Sequence, residues 1–228
     1  MGIAERLIDV EKRIADAANR AGRNPRDITL VAVSKGFGIG RIKEAIDAGI
    51  RIFGENKVQE LLPKIEEVGE GVSWHFIGHL QSNKVKYIVG EVDLIHSIDS
   101  LKLSEEVNQR TQKRGIIQNI LLEVNVSGED RKFGISPDEV IETVKAVAKL
   151  ENLVLKGLMT IAPYSEDPED SRPHFIKLRE IRDEIKRLGI CHSEFGELSM
   201  GMSNDFEVGI EEGATLVRIG SAIFGERN

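Results

Sequence analysis

A single cysteine, Cys191, stands among the 228 residues, so the chain can close no disulfide on itself, which fits a reducing compartment. No apolar run approaches the roughly 18 residues that a membrane span needs. The start, Met1-Gly2-Ile3-Ala4-Glu5-Arg6, lacks the apolar stretch of a secretory signal and carries acid as well as base. Arg6 also stands where a myristoylation motif has Ser or Thr. Excess positive charge is missing too: the net charge is −7, and a general nucleic-acid binder needs clustered Lys and Arg against phosphate. One short basic segment, Asn83-Lys84-Val85-Lys86, reads as a solvated helix face. These absences predict a cytoplasmic protein with neither membrane nor nucleic acid among its partners.

No Pro/Ser-rich linker or low-complexity tract divides the chain, so residues 1–228 read as one domain, long enough for a real core. Its 40% hydrophobic and 30% charged residues are ordinary for a globular protein. Ile3, Leu7, Val10, Ile14, Ala17 and Ala21 keep the three-four spacing of an amphipathic helix, with Gly22 as its C-cap and Pro25 beyond. Strand-like apolar runs then recur at 28–33, 51–53, 74–77, 94–96, 117–126, 153–160, 194–199 and 215–219. Helical patterns lie between them, around Ile42 and Ala45, Leu61 and Ile65, Val140 and Val144, and Leu178 and Ile185. Such alternation means parallel βα units, in either a doubly wound open sheet or a closed barrel. Eight repeats of about 25 residues favour the (β/α)8 TIM barrel, here with an extra N-terminal helix.

Lys35 closes the first apolar run and is followed by the turn residues Gly36-Phe37-Gly38-Ile39-Gly40. The carboxyl ends of buried parallel strands are where such folds place ligands and chemistry. Burial there disfavours the charged form and leaves a nucleophilic amine. Two C-terminal segments match this lysine chemically. In Leu198-Ser199-Met200-Gly201-Met202-Ser203-Asn204-Asp205 a strand end runs into a helix start. Its hydroxyls and N–H groups suit an anion, although for such a loop taken alone an ordinary N-cap by Ser203 or Asn204 is the commoner reading. In Val217-Arg218-Ile219-Gly220-Ser221 an arginine lies inside an apolar strand and needs a partner, Glu123, Glu194 or a ligand atom. The two segments follow strands seven and eight, where barrels bind phosphate.

Other motifs carry less. Gly36-x-Gly38-x-Gly40 has Arg41 where a dinucleotide fingerprint needs glycine. His75 and His79 flank a strand end rather than one helix face, so a metal site is not expected. Ser34 beside Lys35 makes no Ser–Lys pair, because adjacent strand residues face opposite sides. Cys191 reads as structural or incidental.

Five blocks occur in order between residues 28 and 225: Ala32-Val33-Ser34-Lys35, Phe53-Gly54-Glu55-Asn56-Lys57-Val58-Gln59-Glu60, Trp74-His75-Phe76-Ile77-Gly78-His79-Leu80-Gln81-Ser82-Asn83-Lys84, and the two C-terminal segments. Together they resemble the pyridoxal phosphate homeostasis family, which is similar to the barrel domain of bacterial alanine racemase. The resemblance implies pyridoxal 5′-phosphate, the vitamin B6 cofactor, as ligand. It further implies that Lys35 forms the internal aldimine, a Schiff base, and that Asn56 belongs to the cofactor site. Ser199, Gly220 and Ser221 would bind the phosphate with the backbone of Met200 and Gly201, and Arg218 would face the pyridine nitrogen. The chain departs from many relatives in one place: Gly36-Phe37-Gly38-Ile39-Gly40 stands where a Thr-Lys-type turn and a proline are common.

Guanidinium does not readily give up a proton, so Arg218 should leave the ring nitrogen unprotonated and mute carbanion chemistry. By the same resemblance, a racemase draws its second base, a tyrosine, from a β-rich domain that this chain, ending at Asn228, does not carry. Only Tyr87 and Tyr164 remain, and neither matches that second base. The expectation is a monomeric carrier or regulator rather than an enzyme, buffering the cofactor or delivering it to apo enzymes that depend on it. A racemase-like enzyme of low activity and a Schiff-base aldolase acting on a phosphosugar are the alternatives.

Overall fold

Short runs rich in Val, Ile and Leu, each stopped by turn residues, become eight parallel strands in the computed structural model. It describes residues 2–129, 132–191 and 193–226. The strands are β1 (Thr29–Val33), β2 (Ile52–Glu55), β3 (Ser73–Phe76), β4 (Leu94–Ile98), β5 (Gln118–Glu123), β6 (Leu153–Met159), β7 (Glu197–Met202) and β8 (Leu216–Ile219). Each pairs with the next and β8 returns to β1, closing the barrel. The outer ring is α1 (Ile3–Arg20), α2 (Ile39–Asp47), α3 (Val58–Val68), α4 (Val85–Ile88), α5 (Leu101–Arg114), α6 (Val140–Val147), α7 (Arg172–Leu188), α8 (Phe206–Glu211) and α9 (Ser221–Phe224). This is the (β/α)8 barrel with an added N-terminal helix that the periodicity predicts.

The N-terminal helix has a packing reason. The helices that follow β7 and β8 are only 6 and 4 residues long, too short to cover the barrel wall beside them. Helix α1 lies across both and supplies the missing apolar face. Its Ile3, Leu7, Val10 and Ile14 are buried, each worth roughly 1.5–3 kcal/mol of apolar burial. Arg13 and Arg20 tie its outer side to Glu207 of α8.

Several elements differ from the sequence-based expectation; β5, expected to run to residue 126, ends at Glu123, and a last short helix, α9, was not expected. Helix α5 was not anticipated, because its buried stripe mixes Leu103 and Val107 with Ser104 and Thr111. Those hydroxyls satisfy themselves on the helix's own carbonyls, Ser104 on Ser100 at 3.1 Å and Thr111 on Val107 at 3.0 Å. Strand β7 continues to Met202 instead of ending at Ser199. A register shift between Ser199 and Met202 and a left-handed Gly201, φ 92°, let it bend without stopping.

Candidate functional site

The turn that carries Lys35 is pinned from beneath by buried charge. Ser34 faces outward from β1, and its hydroxyl donates to Glu55 Oε1 at 2.6 Å. Lys64 of α3 donates to the same carboxylate and, at 2.9 Å, to the carbonyl of Ser34. Glu55 is fully buried and Lys64 nearly so. Gly36 takes φ 77°, and its N–H donates to Glu60 at 2.8 Å. That bond is the main reason the Glu60 carboxyl sits below its ordinary range. The backbone on either side of Lys35 is therefore held, while Lys35 itself is half-buried and turned into a cavity.

This cavity, about 650 Å³, opens at the carboxyl ends of the strands. Lys35, Asn56, Arg218, Gly220 and Ser221 all line it. Among the described residues, the Oδ1 of Asn56 is a buried acceptor with no hydrogen-bond partner. Asn56 is held where it is by a close backbone crossing: a Cβ on Gly78 would come within 2.3 Å of the Asn56 carbonyl oxygen. Phe37 stacks on Phe224 at 5.0 Å and closes one side. Ser199, Met200 and Gly201 are buried in β7 and are not on the wall. Because β7 runs on, Ser203 and Asn204 stand at the wall in their stead. The Ser203 hydroxyl accepts from the N–H of Gly220 at 3.2 Å, so the two C-terminal segments meet directly. Neither Ser203 nor Asn204 caps α8; that position falls to Asp205, whose carboxylate accepts from the N–H of Met202 at 2.7 Å. Tyr164 stands at the mouth, 84% exposed.

Arg218 does not pair with Glu194, which bridges to Lys156. Its guanidinium donates to Ser199 Oγ at 2.5 Å and to the Thr160 carbonyl at 2.8 Å. Burial pushes it down to about 10, with Glu123 and Asp205 opposing, so it stays cationic at neutral pH. A buried chain continues from there: Ser199 Oγ lies 2.8 Å from His96 Nδ1, and His96 Nε2 lies 3.0 Å from His75 Nδ1. Two directions of donation are possible. If His96 donated to Ser199, the serine hydrogen would have no acceptor among the described residues, at a cost of about 1–3 kcal/mol. The chain therefore runs outward from the guanidinium, Ser199 to His96 to His75, with both rings neutral and protonated on Nε2. Burial agrees, holding His75 at about 4 and His96 well below its usual range.

The chain matches the family model described as alanine racemase, N-terminal domain, over residues 7–228. It is 48% identical to the pyridoxal phosphate homeostasis protein of Aquifex aeolicus (strain VF5), across 100% of this chain and 99% of that one. The chain belongs to the pyridoxal phosphate homeostasis protein family. Among solved structures of similar shape, PipY from Synechococcus elongatus PCC7942 with PLP bound is 33% identical, with a TM-score of 0.86 over 98% of this chain and 100% of that one. An alanine racemase from Clostridium difficile 630 shares the fold at 14% identity and a TM-score of 0.76; 99% of this chain covers 56% of that one.

For this family member, sequence reasoning left Ser203 between an anion-binding hydroxyl and an N-cap, and missed His96 altogether. Of those two readings of Ser203, its place in the cavity wall favours the hydroxyl, since Asp205 takes the N-cap. His96 carried no motif signal, since its hydrogen-bond partners come from β3 and β7. Among the described residues, no three His, Cys, Asp or Glu side chains group as metal ligands. The Cys191 thiol is pushed up to about 11 by burial, so little of it is thiolate at neutral pH. No helix among the described residues is long and apolar enough to cross a membrane.

Proposed function

We propose that this chain binds pyridoxal 5′-phosphate in the Lys35 cavity and holds it for release to apo enzymes that require it. One observation carries the reading: an amine, an unmatched buried acceptor, a set of donors and a fixed guanidinium converge on one cavity. They suit the parts of this cofactor. The Lys35 amine suits its aldehyde, and Asn56 Oδ1 suits its hydroxyl. Ser203, Ser221 and the backbone N–H groups around Gly220 suit its phosphate. Bound there, the cofactor supplies an aldehyde that combines reversibly with a primary amine. Ser199, Met200 and Gly201 shape the layer beneath, and Ser199 orients Arg218 rather than touching the phosphate.

Arg218 holds its proton and can only donate, so a pyridine nitrogen facing it remains an acceptor and the ring a weak electron sink. Tyr164, at 84% exposure, has no packing to fix it as a base opposite Lys35. Both points support a carrier over a racemase. The name of the Aquifex aeolicus relative and the PLP in PipY support the choice of ligand.

Purified protein should absorb in the visible, and Lys35→Ala should abolish that band; an unchanged spectrum would remove the lysine from the site. Mixing the loaded protein with an apo enzyme should restore that enzyme's activity. Incubation with L- and D-amino acids in deuterated water should give negligible α-proton exchange. Exchange at enzyme-like rates that falls in Tyr164→Phe would replace the carrier with the racemase-like enzyme.

A further inference from the structure

Beside the Lys35 cavity, the Glu123 carboxyl and the Lys132 ammonium make no hydrogen bond among the described residues, and both residues border one small space. This second cavity, about 170 Å³, lies at the carboxyl end of β5 and is bounded by Glu123, Asn125, Lys132, Phe133 and Ile161. Glu123 is only 7% exposed, and among the described residues its carboxyl group has no hydrogen bond or ion pair. Lys132 has its Nζ buried. Glu129 lies 3.1 Å away as an ion-pair partner, but at an angle that makes no hydrogen bond.

The space is built rather than left over. Beyond β5 the chain hooks back, with Asn125 N–H donating to the Ile135 carbonyl at 3.0 Å and Ile135 N–H to that of Glu123 at 2.8 Å. Asn125 Nδ2 holds the Glu129 carbonyl at 2.9 Å. Gly134 takes φ 119°, and a Cβ there would come within 2.7 Å of the Asn125 nitrogen. Phe133 is braced by stacking on His79 at 3.6 Å, and His79 pairs with Asp99 at 3.2 Å. Ile161 lines both cavities, so they open on the same face of the barrel.

A carboxylate that lacks a donor calls for an ammonium group, and an ammonium that lacks an acceptor calls for a carboxylate. Phe133 and Ile161 offer apolar surface to a short alkyl group. The volume is well under the roughly 300 Å³ at which pockets for larger ligands begin, which excludes a peptide. We propose that this cavity is a binding site for a free α-amino acid with a small aliphatic side chain, its ammonium on Glu123 and its carboxylate on Lys132. The site needs no occupant in the Lys35 cavity, so its failure and the failure of the cofactor reading are separate results.

Calorimetric titration of the full-length protein, freed of cofactor, with L-valine tests it. Isobutylamine and isovalerate, the two singly charged halves of valine, serve as controls. L-valine should bind saturably and both halves at least about tenfold more weakly, since each forgoes a charged hydrogen bond. Glu123→Gln and Lys132→Met should each weaken valine by a similar factor. Lys132 is partly exposed, so its variant gives a second reading that does not depend on a buried carboxyl. Absence of saturable binding, equal binding of either half, or indifference to both substitutions would overturn the proposal. Competition by inorganic phosphate would do so too, by moving the amino acid into the Lys35 cavity.

Discussion

The 2.8 Å contact between His96 Nδ1 and Ser199 Oγ fixes the direction of every proton between Arg218 and His75. Arg218 can only donate, so Ser199 must pass its own hydrogen on, and each imidazole must do the same. Nitrogen-15 NMR of the cofactor-free protein at neutral pH should find both rings neutral and protonated on Nε2. A ring protonated on Nδ1, or charged, would reverse the chain and detach it from the guanidinium.

Acid should weaken the fold through His75. Its folded value, about 4, lies below the ordinary 6.5, so the unfolded chain takes the proton first as pH falls. The contribution is complete above about pH 6.5 and drains away down to about pH 4, up to roughly 3 kcal/mol. Glu123 titrates with the opposite sign over an overlapping range, so the raw pH curve mixes the two. The difference between wild type and His75→Gln in urea unfolding isolates the histidine, and it should shrink as pH falls. A constant difference would mean that His75 is not held neutral by burial.

Glu123→Gln should stabilise the protein, increasingly so as pH rises. Burial pushes this carboxyl up to about 7, with Arg218 pulling it down and Asp99 pushing it further. A folded value above the unfolded one gives stability that is complete below about pH 4.5 and lost as pH rises through about 7. The glutamine has no charge to bury. Its advantage over wild type should grow by about 2–3 kcal/mol across that window, read from urea midpoints. A flat advantage would mean that Glu123 is already paired when charged.

Lys64→Met should destabilise the chain by about 3–5 kcal/mol, because it strands the fully buried Glu55 carboxylate. Adding Glu55→Gln should recover much of that loss, and a double-mutant cycle in urea measures the coupling. The single variant should also loosen the Ser34–Gly36 turn and slow cofactor attachment at Lys35. A loss below about 1 kcal/mol would make the pair an ordinary surface bridge.

The barrel was legible because its evidence is local. Short apolar runs broken by turns, and helices with one apolar stripe, depend on neighbours in the chain. Where that signal weakened, the reading failed. Helix α5 buries Ser104 and Thr111, and nothing in a hydrophobic pattern announces a hydroxyl that bonds its own helix. Strand β7 was expected to stop at Ser199, where the segment reads as a strand end running into a helix start. A left-handed Gly201 and a bulge carry it on to Met202, and Ser203 rather than Ser199 comes to the cavity wall.

Composition and order along the chain determined the eight βα repeats, the covering helix α1, Lys35 at a strand end and Gly220-Ser221 after the last strand. Each follows from contacts between residues near in sequence, or from a position relative to a strand. Closure of the barrel decided the rest. His75, His96, Ser199 and Arg218 lie on four strands, up to 143 residues apart, and bond in sequence only because β8 returns to β1. The opposed charges of Glu123 and Lys132 likewise face one space only through the hook beyond β5. Such contacts leave no periodicity to read, because the distance that matters is measured across the barrel.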